Sequence, residues 1–222
     1  MLGLGRFREE MMRSKILLAL ALGGVAPFAC ADMIQFDSVG LNQVESISGD
    51  GGSNFISAYT GELNFTDETT TTNYTTFCVD ILDEIHSGSQ WDSNLQLSNT
   101  LGNPAMDRAA AIISADFNSV HTNDEAAGLQ LAVWDAIYDN GASFDADHGT
   151  FQAQNVSSSV LNYANQYYAD RNGNGVALYF GTHTNQDGHV TGQAQMTPVP
   201  EPSTVAGILV GALALLRRRR SA

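Results

Sequence analysis

Two short apolar segments, Ile16 to Phe28 near the start and Val205 to Leu216 near the end, bracket this 222-residue chain and confine any folded core to what lies between them. Neither is an ordinary membrane span, which needs about 20 consecutive apolar residues. Arg13 and Lys15 precede the first, and the small residues of Ala29-Cys30-Ala31 follow it. This is the layout of a secretory signal peptide, with cleavage expected after Ala31. The second stands between Pro200-Glu201-Pro202 and the cluster Arg217, Arg218, Arg219 and Arg220. Arginines behind an apolar segment stay cytoplasmic, which leaves the remainder of the chain on the far side of the membrane.

The region from Asp32 to Thr197 has the size of one domain with a proper core and no room for two large ones. It carries 21 acidic residues against Arg108 and Arg171, a formal charge of −19, and no lysine. Nucleic acid is excluded as a partner on this ground, because binding it requires cations that displace counterions. The charge favours solubility and opposes close approach to anionic lipid.

The expected fold class is α+β: a β-strand-rich N-terminal half, a helical middle and a closing strand. β-Branched and aromatic runs between turn signals predict strands over Ile34 to Phe36, Val44 to Ile47, Phe55 to Tyr59, Leu63 to Phe65 and Tyr74 to Leu82. Helical spacing of apolar residues predicts helices over Met106 to Phe117, Thr122 to Tyr138 and Phe151 to Asp170. The first starts behind Asn103-Pro104, and Thr122 with Glu125 forms a capping box for the second. Val176 to Phe180 closes the domain, with a strand partner near Val190 to Met196. Gly181 to Met196, rich in Thr, Gln and Gly, serves as sheet edge or as spacer to the tail.

With the signal peptide removed, Cys78 is the single cysteine of a protein in an oxidising compartment, where cysteines usually come in pairs. An unpaired exported cysteine implies an intermolecular disulfide, a reactive thiol or another covalent bond, unless it packs as a small hydrophobe. It lies in Phe77-Cys78-Val79-Asp80, within the last strand of the N-terminal half. Fifty-two positions later, Gln130 lies in Gln130-Leu131-Ala132-Val133-Trp134, beside the apolar face of the second helix. A carboxamide there is expensive to bury without a partner.

The tail, Pro-Glu-Pro followed by a short hydrophobic segment and terminal arginines, resembles the PEP-CTERM sorting signal of Gram-negative bacteria that make exopolysaccharide. That resemblance implies an exosortase-type processing protease as partner and transient anchoring in the inner membrane through the C-terminal segment. Cell-surface or matrix localisation follows. The Cys78 and Gln130 segments together resemble the thioester domains of bacterial surface adhesins, over about Asn64 to Tyr179. In that family a cysteine sulfur is joined to a glutamine side-chain carbonyl with loss of ammonia. Here the bond would link Cys78 to Gln130, with Phe77 and Trp134 packing around it. Leu129 stands where many members have Thr.

The resemblance implies a covalent binder with no turnover activity and no cofactor, whose target bears an amine or a hydroxyl on a surface or matrix. A chain storing such a bond would crosslink its own copies if it displayed lysines, and this region offers none, although a plain compositional bias is the first explanation for that. The alternative is a noncovalent structural or carbohydrate-binding matrix protein with the same tail.

Asp170, Asn172 and Asn174 match the opening of a calcium loop, but its twelfth position is Gly181, where a bidentate glutamate is required. The histidines, at 86, 121, 148, 183 and 189, lack metal-ligand spacing. No histidine motif points to a base for a Cys78 hydrolase, whether His86 or His121 is considered.

Overall fold

The computed structural model describes residues 32–184 and 190–199. Ala31, Pro200, Glu201, Pro202 and Arg217 to Arg220 lie outside the described residues, as does His189. Among the described residues no helix is long and apolar enough to cross a membrane.

Among the described residues the architecture is α+β: one antiparallel eight-stranded sheet, two α-helices packed against it and a third α-helix packed on those two. Strands β1 (Asp32–Ser48), β2 (Ile56–Asp67) and β3 (Thr72–Cys78) form a meander. Then come β4 (Gln90–Ser93), β5 (Leu95–Leu97), α1 (Pro104–Asp116), α2 (Asn123–Tyr138), β6 (Gln152–Gln154) and α3 (Ser158–Tyr168). β7 (Ala177–Phe180), the pair β8 (His183–Thr184) and β9 (Val190–Thr191), and β10 (Gln195–Pro198) complete the order.

The strand order is β4-β1-β2-β3-β10-β7-β5, with β6 on the far part of β1. β4 and β5 are therefore at opposite ends of the sheet, yet Asn94 alone separates them in sequence. Two residues of chain reach at most about 7 Å, so the sheet must curl until its ends nearly meet. The seam is tied by Trp91 Nε1 and Ser93 Oγ, both donating to the Gly181 carbonyl, at 3.1 and 3.0 Å.

The expected breaks within the N-terminal half are absent. Ile34–Phe36 and Val44–Ile47 belong to one 17-residue strand, and Phe55–Tyr59 and Leu63–Phe65 belong largely to its 12-residue partner. The polar residues between these runs sit at register shifts in β1, between Phe36 and Ser38 and between Val39 and Asn42. Bulges bend a strand without ending it. Gly61, at φ 145°, faces the second shift, where a Cβ would strike the main chain of Leu41 and Asn42. No other residue fits there.

Helix α2 is buried from Ala126 through Asp135 to Ala136, and so is a central helix with no solvent stripe over that span. It packs against β1, β2, α1 and α3. Gly128 allows the approach to α3: a Cβ there would lie 2.5 Å from Tyr163 Cβ and 3.0 Å from Ala164 N. Thr122 caps the helix as expected, accepting from Glu125 N, and the Glu125 carboxylate reaches back to accept from His121 N and the Thr122 hydroxyl.

Two further expectations are corrected. Phe151 to Asp170 is not one helix: β6 pairs with Ser46–Ser48, Asn155 adopts φ 60°, and α3 starts only after Ser157, whose hydroxyl accepts from Val160 N. Asp139 sets this apart by accepting the N–H groups of Thr150 and Phe151. The strand partner expected near Val190 to Met196 is present, since β10 pairs with β7 through Gln195↔Phe180 and Met196↔Tyr179, but it is neither edge nor spacer: it lies inside the sheet between β3 and β7 with Gln195, Met196 and Thr197 buried. The short strands β4, β5 and β6 had no counterpart in the periodicity.

Candidate functional site

The strand expected over Tyr74 to Leu82 stops at Cys78, and the stop builds the site. β2 pairs with β3 as far as Glu62↔Phe77 and offers Cys78 no further rung. The carboxamide of Gln130, in the second turn of α2, takes that place. Cys78 N–H donates to Gln130 Oε1 at 2.9 Å, and Gln130 Nε2 donates to the Cys78 carbonyl at 2.7 Å. A side-chain amide thus completes a ladder that would otherwise leave two buried main-chain groups unpaired. Cys78 is 3% exposed and Gln130 fully buried.

The Cys78 sulfur turns the other way. Its S–H donates to the Asp80 carbonyl at 2.8 Å, and Asp80 N–H returns a bond to the sulfur at 3.3 Å. Burial pushes the thiol up to about 12, and the nearby charges of Asp80 and Asp83 add to the rise; Asp80 N–H and the Trp134 indole oppose it. At neutral pH the sulfur is a protonated thiol. Its hydrogen-bond partners are main-chain groups, with no imidazole among them.

Trp134 follows Gln130 by one helical turn and so shares its face. Its indole N–H is buried and meets no acceptor at full hydrogen-bond geometry, although it lies close enough to the Cys78 sulfur to oppose the thiol's rise. The ring also meets Phe151 at 6.1 Å. Phe77 lies on the opposite face of β3, as strand alternation requires, with its ring edge-on to Phe117 at 6.0 Å. Trp134 therefore shares the sulfur's surroundings, and Phe77 faces away from them.

Cys78 and Trp134 line a cavity of about 620 Å³ whose other walls include Phe36, Ile81, Tyr59 and Asp83. That is the size of a small-molecule pocket. Gln130 does not line it and adjoins it through its bonds to the Cys78 main chain. The segment after β3 that forms the rim is held by Gln193, whose Nε2 donates to the carbonyls of Asp80 at 3.0 Å and Asp83 at 2.8 Å. Tyr138, on the last turn of α2, accepts from Ile81 N at 3.3 Å, and burial pushes its hydroxyl up to about 12. Asp83, Tyr138 and Gln193 were not singled out by sequence. Asp80 stood inside the cysteine motif, and its position there was the one available signal.

The other candidates fall elsewhere. Asp170 and Asn172 belong to a 3-10 turn spanning Ala169–Asn172 that continues α3, closed by Gly173 N donating to the Asp170 carbonyl, so they do not present ligands at alternate positions of a loop; Asn174 follows that turn. Among the described residues no three His, Cys, Asp or Glu side chains are grouped to hold a metal ion. His148 pairs with Asp145 at 3.1 Å on the surface, His121 stands before α2, and His86 lines the cavity.

No protein-family model and no curated protein matches this chain. Chemically, the arrangement sets a thiol and a carboxamide on adjoining positions in a site from which water is largely excluded. These are the two groups an acyl transfer from nitrogen to sulfur requires.

Proposed function

We propose that the chain is an exported surface or matrix protein that attaches covalently to its target through a thioester between Cys78 and Gln130. One observation carries the reading: the Gln130 carboxamide is bonded at both ends to the main chain of Cys78, a residue that lines a cavity. In forming the bond, the thiol sulfur attacks Gln130 Cδ. The C–N bond breaks, and the amide nitrogen leaves as ammonia with the thiol proton. Cys78 N–H already meets the carbonyl oxygen and would stabilise negative charge developing there. The stored acyl group then reacts once with an amine or hydroxyl, which takes the acyl carbon while the thiol is restored. Burial slows the competing hydrolysis.

On this reading the fold is that of a thioester domain, the N-terminal segment is a signal peptide, and the tail is a sorting signal handled by an exosortase-type protease. The protein does not turn over a substrate and needs no cofactor. A noncovalent matrix role is the second reading. It is favoured by the paired Gln130 hydrogen bonds, one at each end of the amide, which seat it as a structural rung, and by the high pKa of the thiol.

Thiol titration of residues 32–199 in denaturant distinguishes the two. The covalent reading predicts no reactive thiol until the folded protein has been treated with methylamine, then one per chain. One reactive thiol per chain from the outset, with Gln130 intact, supports the noncovalent role.

A further inference from the structure

The rim of the cavity beside Cys78 is acidic. Asp37 of β1 and Asp83 and Glu84 of the segment after β3 line it together with His86, and no lysine or arginine does. The carboxylates are not equivalent. Asp37 is occupied by Gln35 Nε2 and Thr66 Oγ1, Asp80 Oδ1 holds Leu82 N–H, and Glu84 is exposed. Asp83 is half-buried on the cavity wall, with its main chain pinned by Gln193. A second feature points to a reacting ligand: the buried Trp134 N–H, beside Cys78 on the cavity wall, lacks an acceptor at full hydrogen-bond geometry. A thiolate leaving Gln130 Cδ would supply one.

We infer that Asp83 takes the proton of an incoming cationic primary amine, so that the site captures ammonium-bearing targets in preference to hydroxyls. This rests on the covalent reading. An ammonium is drawn to the acidic rim, and its methylene stem lies along Phe36, Val39 and Ile85. It gives one proton to the Asp83 carboxylate, and the free nitrogen attacks Gln130 Cδ, which the thioester bond draws up to Cys78 on the cavity wall. The C–S bond breaks with its electrons going to Cys78 Sγ. The second proton lost from nitrogen ends on that sulfur, giving an amide, a thiol and a neutral Asp83 carboxyl. A hydroxyl brings no positive charge and gains nothing from the rim.

The groups facing Asp83 are Asp80, Glu84 and His86 on its own segment, Asp37 of β1, Tyr59 of β2, Cys78 of β3 and Tyr138 of α2. Burial and then Asp80 raise Asp83 to about 6. It is therefore ionised at neutral pH and still basic enough to accept a proton.

The test is the pH dependence of 1,5-diaminopentane capture by residues 32–199, on samples whose mass is first shown to be one ammonia short. Ammonium and carboxylate coexist above pH 6, so the wild-type rate should rise to about pH 6 and stay level beyond pH 8. Asp83→Asn should lose roughly 100-fold at pH 7 and climb tenfold per pH unit, following the free amine, whose pKa is about 10. Asp83→Glu should restore the plateau. Asp83→Asn should lose at least ten times more with diaminopentane than with hydroxylamine, which is neutral at this pH. A wild-type rate climbing tenfold per unit, or equal losses with both nucleophiles, would overturn the role of Asp83 while leaving the thioester in place. A wild-type mass with no ammonia deficit would overturn the covalent reading and this inference with it.

Discussion

Asp135 follows Trp134 on α2 and is 1% exposed, with Oδ2 lacking any hydrogen-bond partner. Burial raises its carboxyl to about 7, the charges of Asp139 and Asp145 add to the rise, and the Tyr168 hydroxyl and Asp145 N–H offset part of it. Its value in the unfolded chain is about 3.9. A carboxyl whose pKa is raised by folding favours the native state fully below about pH 4, and its contribution falls as pH rises through 7. Between pH 5.5 and 8.5, linkage through these two values removes about 2 kcal/mol. With a urea slope of about 2 kcal/mol per molar, that moves the midpoint by about 1 M. Asp135→Asn abolishes the titration. The midpoint of Asp135→Asn minus that of the wild type should therefore grow by about 1 M urea from pH 5.5 to 8.5, read by tryptophan fluorescence. The difference isolates Asp135 from Asp116, which burial and Asp170 also raise to about 7. A difference constant across this range would refute the burial argument.

Gly128→Ala should destabilise the fold by about 1–3 kcal/mol, since the added methyl forces α2 and α3 apart at Tyr163 and Ala164; thermal denaturation reads this, and an unchanged midpoint would contradict it. In the Cys78→Ala background, where the carboxamide stays intact, Gln130→Leu strips the residue 78 N–H and C=O of their buried partners and should cost about 2–5 kcal/mol in urea unfolding. Hydrogen exchange at the residue 78 amide should accelerate in the same variant. Val44→Lys places an amine on an exposed position of a lysine-free surface and should yield covalent oligomers on a denaturing gel, lost in Val44→Lys/Cys78→Ala; unchanged monomer would show that the missing lysines do not protect against self-crosslinking.

Several parts of this arrangement are legible in the residues themselves. Thr122 and Glu125 mark the start of α2, and the apolar spacing from Leu129 to Tyr138 marks its course, because both signals are local. The partnership of Cys78 and Gln130 could be suspected only from motif likeness, since what joins them is a missing rung between β2 and β3, a property of register. The single long strands β1 and β2 were read as broken because bulge residues such as Ser38 and Asn42 have the same polar character as turn residues. β10 was legible as a partner of β7 but not as an interior strand, because Gln193, Gln195 and Thr197 are polar, yet each finds a specific buried or rim acceptor: the Asp80 and Asp83 carbonyls, Gln193 Oε1, and the Thr75 carbonyl. Closure of the sheet through Asn94 depends on strand order, which no local pattern encodes.

The most direct test of the central claim is the intact mass of purified residues 32–199, followed by peptide mapping, with Cys78→Ala in parallel. The thioester account predicts a wild-type mass one ammonia below the sequence value, with the Cys78 and Gln130 peptides joined, and a full sequence mass for Cys78→Ala. A wild-type mass equal to the sequence value, with Gln130 recovered as glutamine and Cys78 alkylated as a free thiol, would contradict it.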